Sequence, residues 1–223
     1  MSASKIETQK LRCAVLATDV VALSFIDGVL SVLLVPITLP ECKGKLGMPG
    51  GLIRPEETAE EAAARVVSAK GGVSGGYREQ LATFSKVNRD PRGRVVSVAY
   101  LTLMSPQTKL ETETGAKWIA ISKAGKLAYD HTEILDAAIE RLTGKLSYTN
   151  IAQHLLPPTF TLTELQSLYE SIIGATLDKR NFRKKVLAVD LVVKTGARRS
   201  GDANRPAELY KFKRTTLQII EIL

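Results

Sequence analysis

The sequence predicts an α+β protein made of two domains, and three observations support that prediction. In the first part of the chain, runs rich in β-branched residues alternate with stretches of helical periodicity. Pro157 and Pro158 then exclude a regular helix and indicate a boundary. Beyond them the spacing of apolar residues changes and basic residues become dense. We therefore predict a larger α/β domain over residues 1–148 and a smaller domain over residues 149–223.

The composition is that of an ordinary globular protein with an anionic partner. Of the 223 residues, 44% are hydrophobic and 24% are charged, and the formal net charge is +8. Cys13 and Cys42 form no close-spaced pair, which argues against a disulfide framework or a cysteine metal site. The longest uncharged run near the N-terminus, residues 28–40, is too short to span a membrane. We expect a cytoplasmic protein without a membrane partner.

Two β-hairpins are predicted in the larger domain. Residues 20–37 contain two β-rich runs on either side of Asp27 and Gly28. An Asp-Gly pair suits a type I′ turn, because both central residues of that turn need a positive φ. Residues 81–104 contain two further β-rich runs, separated by the turn-like stretch NRDPRGR at 88–94. We expect the charged residues of this stretch at the tip of the second hairpin.

Two helices and a short strand complete the larger domain. A helix is predicted over residues 55–70, which are rich in Ala and Glu, with Pro55 near its first turn. Residues 116–122 predict a short strand. Asp130 followed by Glu133 resembles a capping box that opens a second helix.

The smaller domain shows the order helix, turn, helix and hairpin, which is typical of a winged helix-turn-helix. Thr163 with Gln166 resembles a capping box, and Gly174 ends the helix that it opens. That helix carries one apolar stripe, formed by Leu165, Leu168, Tyr169, Ile172 and Ile173. Asp178 is the candidate N-cap of a second helix at 179–189. The segments LVVKTG and AELYKFKR then suggest two strands around a long polar loop.

Basic residues concentrate in this smaller domain. Residues 179–214 hold twelve Lys or Arg against three acids, a net charge of +9, which exceeds that of the whole chain. A local excess of this kind is typical of nucleic-acid contact. With Phe182, Val186 and Val189 facing inward, the second helix would present its basic side chains to a major groove. The predicted DNA-binding residues are Lys179, Arg180, Arg183, Lys184 and Lys185 on the helix, and Arg198, Arg199 and Arg205 in the loop.

Two alternatives accompany this prediction. Asn181 either contacts an adenine or caps the helix locally, and the cap is the favoured interpretation. The basic region could also bind RNA or an acidic protein, although no aromatic stacking platform is apparent beside it.

The stretch at residues 51–73 resembles the Nudix box of hydrolases that cleave linked nucleoside diphosphates. The pattern is G-x5-E-x7-R-E-U-x-E-E-x-G-U, where U is a bulky apolar residue. Gly51, Glu57 and Arg65 match its first glycine, first glutamate and arginine. Its three remaining glutamates fall on Val66, Ala69 and Lys70.

The three replaced positions share one helix face, because they are spaced i, i+3 and i+4. In active Nudix enzymes, carboxylates on this face hold Mg²⁺, a hard cation that needs oxygen ligands. Val66 and Ala69 offer none, and Lys70 brings a positive charge. We therefore expect no metal, no catalytic residue and no hydrolase activity. Lys70 either neutralises a ligand diphosphate or is a solvated helix end, and Arg65 is expected to pair with Glu61.

The resemblance extends over nearly the whole chain. The segments YREQLATFSKVNRDPRGRVVSVAYL at 77–101 and FTLTELQSLYESIIG…LDKRNFRKKV…RPAELYKF at 160–212 are similar to the Nudix-related transcriptional regulators. These are bacterial repressors in which a Nudix-like sensor precedes a winged helix. The resemblance implies a Nudix-like α/β/α sandwich followed by a winged helix-turn-helix. The tryptophan that the family carries shortly before the box is replaced here within KLGMPGG.

The same resemblance implies a function. The chain would bind palindromic operator DNA as a homodimer, repress NAD cofactor synthesis or salvage, and respond to ADP-ribose or a related nucleotide, with no cofactor. Some relatives respond to sugars instead. The alternative is a Mg²⁺-dependent hydrolase of ADP-ribose or another nucleoside diphosphate derivative. The predicted ligand-binding residues are Gly50, Gly51, Glu57, Arg65, Lys70, Arg92 and Arg94.

Other candidate residues have open roles. Arg89, with Arg92 and Arg94, either holds a phosphate or ribose, contacts DNA or a partner subunit, or supplies surface charge at the hairpin tip. Trp118 is expected in the core rather than on an adenine. His131 is expected in the first turn of its helix and His154 in the linker, neither with a metal-ligating companion.

Overall fold

The computed structural model describes residues 13–111, 115–201, 204–220 and 222, and of residues 201, 204 and 205 it describes the backbone alone. The first domain is built on a seven-stranded sheet of β1 (Val15–Ile26), β2 (Val29–Pro36), β3 (Leu46–Gly47), β4 (Gly50–Leu52), β5 (Tyr77–Phe84), β6 (Val95–Met104) and β7 (Lys117–Ala120). The sheet order is β3-β2-β1-β6-β5, with β4 paired to β1 and β7 paired to β2. Both predicted hairpins are confirmed, because β1–β2 and β5–β6 pair antiparallel, while β1 and β6 run parallel.

The sheet lies between two helices, α1 (Ala59–Gly71) and α2 (His131–Tyr148). Alternation along β1 decides which side chains meet which helix. Val20 and Ala22 belong to the apolar cluster that contains the buried residues of α1. Val21 and Leu23 belong to the cluster that contains the buried residues of α2. This arrangement is the α/β/α sandwich that the resemblance implied.

The first helix begins later than the sequence suggested. A helix starting at Pro55 is wrong, because α1 begins at Ala59 after the N-cap Thr58. The Thr58 hydroxyl accepts a hydrogen bond from the Glu61 backbone N–H at 3.2 Å, and the Glu61 carboxylate accepts one from the Thr58 N–H at 2.8 Å. This reciprocal capping box satisfies two helix-end donors, so it fixes the start. Gly72 ends the helix with a left-handed φ of 63°.

The two capping boxes that the sequence predicted are also wrong. The Asp130 carboxylate accepts from Arg89 instead of capping α2, and Glu133 pairs with Lys86. In the second domain α3 (Leu162–Ile173) is capped by Thr161 with Glu164, two residues before the expected pair. Thr163 and Gln166 therefore lie inside α3. The predicted apolar stripe of α3 and its end at Gly174 are confirmed.

The second domain continues with α4 (Lys179–Ala188) and a hairpin of β8 (Val192–Gly201) and β9 (Asn204–Phe212). Asp178 caps α4 as predicted, accepting from the Asn181 backbone N–H at 2.8 Å. The prediction of a long polar loop between the two strands is wrong, because the strands extend through most of that segment. The order helix, turn, helix and hairpin is that of a winged helix-turn-helix.

One apolar cluster joins the two domains. It includes Leu142 and Leu146 of α2 together with Leu168, Tyr169 and Phe182 of the second domain. Polar contacts cross the same junction. Ser171 of α3 accepts a hydrogen bond from the Leu30 backbone N–H at 3.2 Å, and the His154 ring stacks on Tyr77 at 4.8 Å between centroids. The division at residue 148 falls at the end of α2 and stays a prediction.

The chain after β9 returns to the end of α2 and closes on Asn150. Asn150 is 1% exposed, and its amide donates to the Thr216 carbonyl at 2.9 Å and accepts from the Gln218 N–H at 2.7 Å. Beside it, the backbone N–H groups of Ile220 and Ile222 donate to the carbonyls of Tyr148 and Ser147. The residue between the two domains is therefore held by the C-terminal segment.

Replacing Asn150 by Ala should destabilise the protein. The substitution leaves buried backbone groups of the C-terminal segment without a partner, which lowers the free energy of unfolding by about 1–3 kcal/mol. Chemical denaturation of the full chain measures the change. Asn88→Ala, in an exposed turn, is the control and should stay within about 0.5 kcal/mol of wild type. Equal effects of both substitutions would contradict the role given to Asn150.

Candidate functional site

A cavity of about 590 Å³ opens in the first domain. It lies where β1 and β4 meet the tip of the β5–β6 hairpin and the start of α2, with residues 35–40 completing the wall. Four of the predicted ligand-binding residues line it, namely Gly50, Gly51, Lys70 and Arg92. Asp19, Asp90, Tyr129 and His131 also line it, and sequence reasoning assigned none of these four to a ligand site.

A buried ion network forms one side of the cavity. Arg89 donates through Nε and Nη2 to both carboxylate oxygens of Asp130, at 2.8 and 2.7 Å, and through Nη2 to Asp19 Oδ2 at 2.9 Å. The Ser97 hydroxyl donates to the same Asp19 oxygen at 2.7 Å. The Arg89 side chain is only 4% exposed. The prediction that this residue supplies surface charge at a hairpin tip is therefore wrong.

Asp19 is held as a carboxylate. Burial by itself would raise the pKa of Asp19, but His131, Arg89 and Ser97 lower it, and the net pKa lies below its ordinary value. His131 reaches this carboxylate through Nε2, 3.4 Å from Asp19 Oδ1, while its Nδ1 accepts from the Met48 backbone N–H at 2.9 Å. His131 Nε2 therefore carries the ring proton that faces Asp19.

A signal for part of this network was present in the sequence. Asp19 interrupts an otherwise apolar strand, and an acid in such a strand is expected to be buried with a partner. His131 and Tyr129 gave no comparable signal, because they stand among polar residues where α2 begins. The structure places the rings of these two residues 5.1 Å apart at the cavity.

Gly50 and Gly51 of β4 lie in close contact with neighbouring elements. A Cβ atom on Gly50 would lie 2.2 Å from Asp19 Oδ1, and one on Gly51 would lie 3.1 Å from Val66 Cγ1. A side chain at Gly50 would therefore clash with Asp19, whereas one at Gly51 would require Val66 to shift slightly. Val66 itself is buried in the apolar cluster under α1, at a position where an active Nudix enzyme carries a carboxylate.

Lys70 reaches from the end of α1 to the cavity. Its ammonium group donates to the Gly50 carbonyl, although the residue as a whole is exposed. Desolvation lowers the pKa of Lys70, Asp19 acts in the opposite sense, and Arg65 and Arg92 lower it further. Lys70 is thus an exposed residue in the last turn of α1 whose charged group is beside the cavity, and its role toward a ligand stays a prediction. Among the described residues, no group of three or more His, Cys, Asp or Glu could hold a metal ion.

Three predicted ligand residues make structural contacts outside the cavity lining. Arg65 donates to Glu57 Oε2 at 2.8 Å and to the Leu52 carbonyl at 3.0 Å, and these bonds hold the loop before α1. The hydrogen bond from Arg65 lowers the pKa of Glu57 to about 2. The expected Glu61–Arg65 pair is wrong, because Glu61 is in the capping box. Arg94 donates to the carbonyls of Ser85 and Lys86, across the hairpin.

Trp118 and Arg92 take different places. Trp118 pairs with Leu33 across β7 and β2 and packs on the cluster under α1, which confirms the core position. Arg92 donates to Asp90 through Nε at 3.0 Å and Nη2 at 2.7 Å, and its side chain is 56% exposed. Arg92 is thus a cation at the mouth of the cavity.

The basic face of the second domain is centred on α4. Phe182 and Val186 are buried, and the Phe182 ring meets Tyr169 edge-on at 5.2 Å. Opposite this buried side, Arg180 and Lys184 are exposed, and Lys179 and Lys185 are exposed beside them. Arg183 differs from these four, because it is half-buried and donates to the Thr163 hydroxyl of α3 at 3.0 Å.

The remaining basic candidates lie on the hairpin. Arg198 and Arg199 are in β8 rather than in a loop. Arg199 donates to Glu164 Oε1 at 2.6 Å and to the Thr159 carbonyl at 3.3 Å, which ties the hairpin to α3. The side chain of Arg205 lies outside the described residues. The cap of α4 is Asp178, so a capping role for the Asn181 side chain is wrong.

Comparison with known proteins agrees with this architecture. Residues 16–142 match the NUDIX domain family, and residues 152–212 match the family described as the NrtR DNA-binding winged helix domain. The ADPR responsive transcriptional repressor NtrR of Acinetobacter baylyi is 34% identical over 204 residues, which cover 88% of this chain and 81% of that protein. The chain belongs to the NrtR family.

Two solved NrtR structures carry ligands. Shewanella oneidensis NrtR in complex with a 27mer DNA is 35% identical, with a TM-score of 0.77 over 89% of this chain and 93% of that one. The NUDIX domain of the same NrtR in complex with ADP ribose is 33% identical, with a TM-score of 0.53 over 59% of this chain and 90% of that one. The predicted family and fold class are confirmed. No helix in the described part of the chain has the length and hydropathy to cross a membrane.

Replacing Gly50 by Ala should damage this NrtR-family cavity. The new methyl group would force Asp19 or β4 to move, which lowers the free energy of unfolding by about 1–3 kcal/mol. Gly144→Ala in α2 is the matched control, since a Cβ there meets no atom within 4 Å. That change should be neutral or stabilise the helix by up to about 1 kcal/mol. Thermal and chemical denaturation compare the two variants, and an undisturbed Gly50→Ala protein would contradict the packing described.

The stability of the protein should depend on the ionisation of Asp19. Its folded pKa is depressed, so its contribution is complete above the unfolded pKa of about 3.9 and is lost as the pH falls through the folded value. Between pH 7 and pH 3 the free energy of unfolding should therefore fall more steeply for wild type than for Asp19→Asn. Asp136→Asn, at an exposed position of α2, is the control. Identical pH profiles of wild type and Asp19→Asn would show that the network does not act in this way.

Proposed function

We propose that this chain is a transcriptional repressor that binds operator DNA through its winged helix and senses ADP-ribose, or a related nucleotide, in the cavity of its Nudix-like domain. The proposal rests mainly on one observation, that a ligand-sized cavity and a basic winged helix occur in the same chain. A cavity with a lysine at a metal-ligand position of the Nudix box precedes a winged helix whose exposed face is basic. The ADP ribose and DNA complexes of NrtR relatives support it.

The cavity suits a nucleoside diphosphate derivative. Its volume of about 590 Å³ lies within the range of small-molecule sites. Lys70 and Arg92 supply two cations at its wall, which match the charge of a diphosphate. The aromatic ring of Tyr129 offers a surface for a base or ribose.

The same residues favour binding without turnover. Hydrolysis of a diphosphate in Nudix enzymes needs Mg²⁺ to polarise the phosphoryl group and activate water. In this chain the buried Val66 and the cationic Lys70 stand where two of the ligating carboxylates would be, and Ala69 stands at the third. Lys70 can neutralise the diphosphate directly, so the ligand is retained as an effector. We therefore propose that the chain is not an enzyme.

The repressor would act as a homodimer on a palindromic site. Two copies of α4 would enter successive major grooves, with Arg180 and Lys184 facing the bases and phosphates. The wing formed by β8 and β9 would touch the adjacent backbone. By the family resemblance, the genes controlled serve NAD synthesis or salvage, and the protein acts in the cytoplasm.

Ligand and DNA would be coupled through the shared core. β1 carries Asp19 at the cavity and leads into the hairpin turn, after which Leu30 contacts Ser171 of α3. α2 carries His131 at the cavity and ends at the Asn150 junction. A ligand that shifts either element would change the spacing of the two α4 helices and weaken DNA binding by linkage.

The test is fluorescence anisotropy of DNA from the upstream region of the gene, with ADP-ribose titrated at two salt concentrations. Wild type should bind this DNA specifically and release it as ADP-ribose is added. Lys70→Met should bind the DNA as wild type does but need about tenfold more ADP-ribose, because one charge-assisted contact is lost. Lys109→Met, at an exposed position away from the cavity lining, is the matched control.

Three outcomes would contradict the proposal. Binding that collapses with salt on any DNA would reduce the winged helix to a non-specific basic module. Specific binding that ADP-ribose does not alter would remove ADP-ribose as effector and direct the search to sugars or other nucleotides. Release of AMP from ADP-ribose with Mg²⁺ at ordinary enzymatic rates would favour the hydrolase instead.

A further inference from the structure

One side chain of α4 does not fit a helix that touches only phosphates. Leu187 is 46% exposed, and no other large apolar side chain of α4 is exposed, all ten residues of this helix being described. Positions 180, 184 and 187 lie on the side opposite the buried Phe182 and Val186, given the helical repeat of 3.6 residues. Leu187 thus shares the outer face of α4 with two basic residues, Arg180 and Lys184.

The fold itself does not account for a leucine at this position. Leu187 is absent from both apolar clusters of the described residues. Its described structural contact is made by the backbone, whose carbonyl accepts from the Asp190 N–H at 3.2 Å where the helix ends. Any residue would supply that carbonyl, and a polar side chain would expose less apolar surface to water.

The flanking charges identify what covers this face. With Arg180 and Lys184 beside it and a net charge of +9 over residues 179–214, the surface is complementary to a polyanion. An apolar peptide or a second copy of this basic face would have to bury those charges without compensation. A major groove satisfies both requirements, because phosphates line its edges and thymine offers an apolar group, the C5-methyl, on its floor.

We propose that Leu187 is a specificity determinant that contacts the C5-methyl group of a thymine in each half of the operator. This inference rests on the proposed DNA-binding function and extends it to one atom group of the DNA. Arg180 and Leu187 are seven residues apart, which is about 10 Å along the helix axis. The thymine therefore lies within about three base pairs of the position that Arg180 faces, since base pairs are stacked about 3.4 Å apart.

The experiment removes the methyl group from the DNA and the side chain from the protein, separately and together. Full-length protein selects its site from a pool of random duplexes, and each thymine of that site is then replaced by uracil, which differs only in lacking the methyl. Affinities are measured by anisotropy at a salt concentration that suppresses non-specific binding, for wild type, Leu187→Ala and Leu110→Ala. Leu110 is the matched control, a leucine 37% exposed in the first domain.

At one thymine of each half-site, uracil should weaken wild-type binding about three- to tenfold. The affinity of Leu187→Ala for the thymine site should be lower than that of wild type by a similar factor. Uracil at that one position should not weaken its binding further, whereas uracil at other positions should act as it does on wild type. Leu110→Ala should behave as wild type on every duplex. This non-additivity separates a direct contact from a general loss of affinity.

Several results would overturn the inference. One is a Leu187→Ala protein that binds the thymine site as wild type does, and another is one that responds to uracil at every position as wild type does. A loss of affinity without such coupling would place Leu187 against the DNA backbone. A Leu187→Ala protein whose melting temperature falls well below wild type would make the residue structural. Failure of wild type to select any site would instead overturn the proposed function itself.

Discussion

The fold around the cavity depends on the buried ion pairs of Arg89. This one side chain, from the turn between β5 and β6, binds Asp19 on β1 and Asp130 at the start of α2. Taking three charges out of water is unfavourable, and it is offset here because the guanidinium donates to both carboxylates and Ser97 donates to one of them. Removing Arg89 would leave two buried carboxylates without their shared cation. The network therefore adds polar contacts, at one side of the cavity, between three elements that already share the sheet and its core.

The chemical character of the cavity follows from this buried network. Because Asp19 is held against Gly50, β4 carries no side chain there, and the backbone of the box is open to the cavity. Asp19 and Asp130 hold Arg89 from within, while Lys70 and Arg92, the latter paired with Asp90, place positive charge at the cavity wall. At position 70, where the Nudix box pattern has a glutamate, this chain carries a lysine, so the charge expected there has the opposite sign.

Local signals made much of the fold predictable from sequence. The Asp27-Gly28 turn and the Asp178 cap were found correctly, because each depends on residues within four positions of one another. The start of α1 and the cap of α3 were misplaced by a few residues, since a neighbouring Pro and Thr gave equally good local patterns. The network was missed for a different reason. Its members are separated by up to 112 positions, between Asp19 and His131, and no local pattern records a contact at that distance. Lys70 was found because a motif, rather than its neighbours, defined its place.

In α4 too, some residues can be assigned from the sequence and others only from the folded structure. The composition of a basic helix is visible in the sequence, so Arg180 and Lys184 could be assigned to a DNA-binding face from the sequence alone. Arg183 could not be separated from them by composition, because its contact with Thr163 depends on how α3 packs. Leu187 is a different case, because no pattern in the sequence distinguishes it from a core leucine, yet it is exposed. Charge alone gives a repressor affinity for any duplex, whereas discrimination needs groups that differ between bases. An exposed apolar side chain among cations supplies such a group, and its exposure is the feature that only the folded chain reveals.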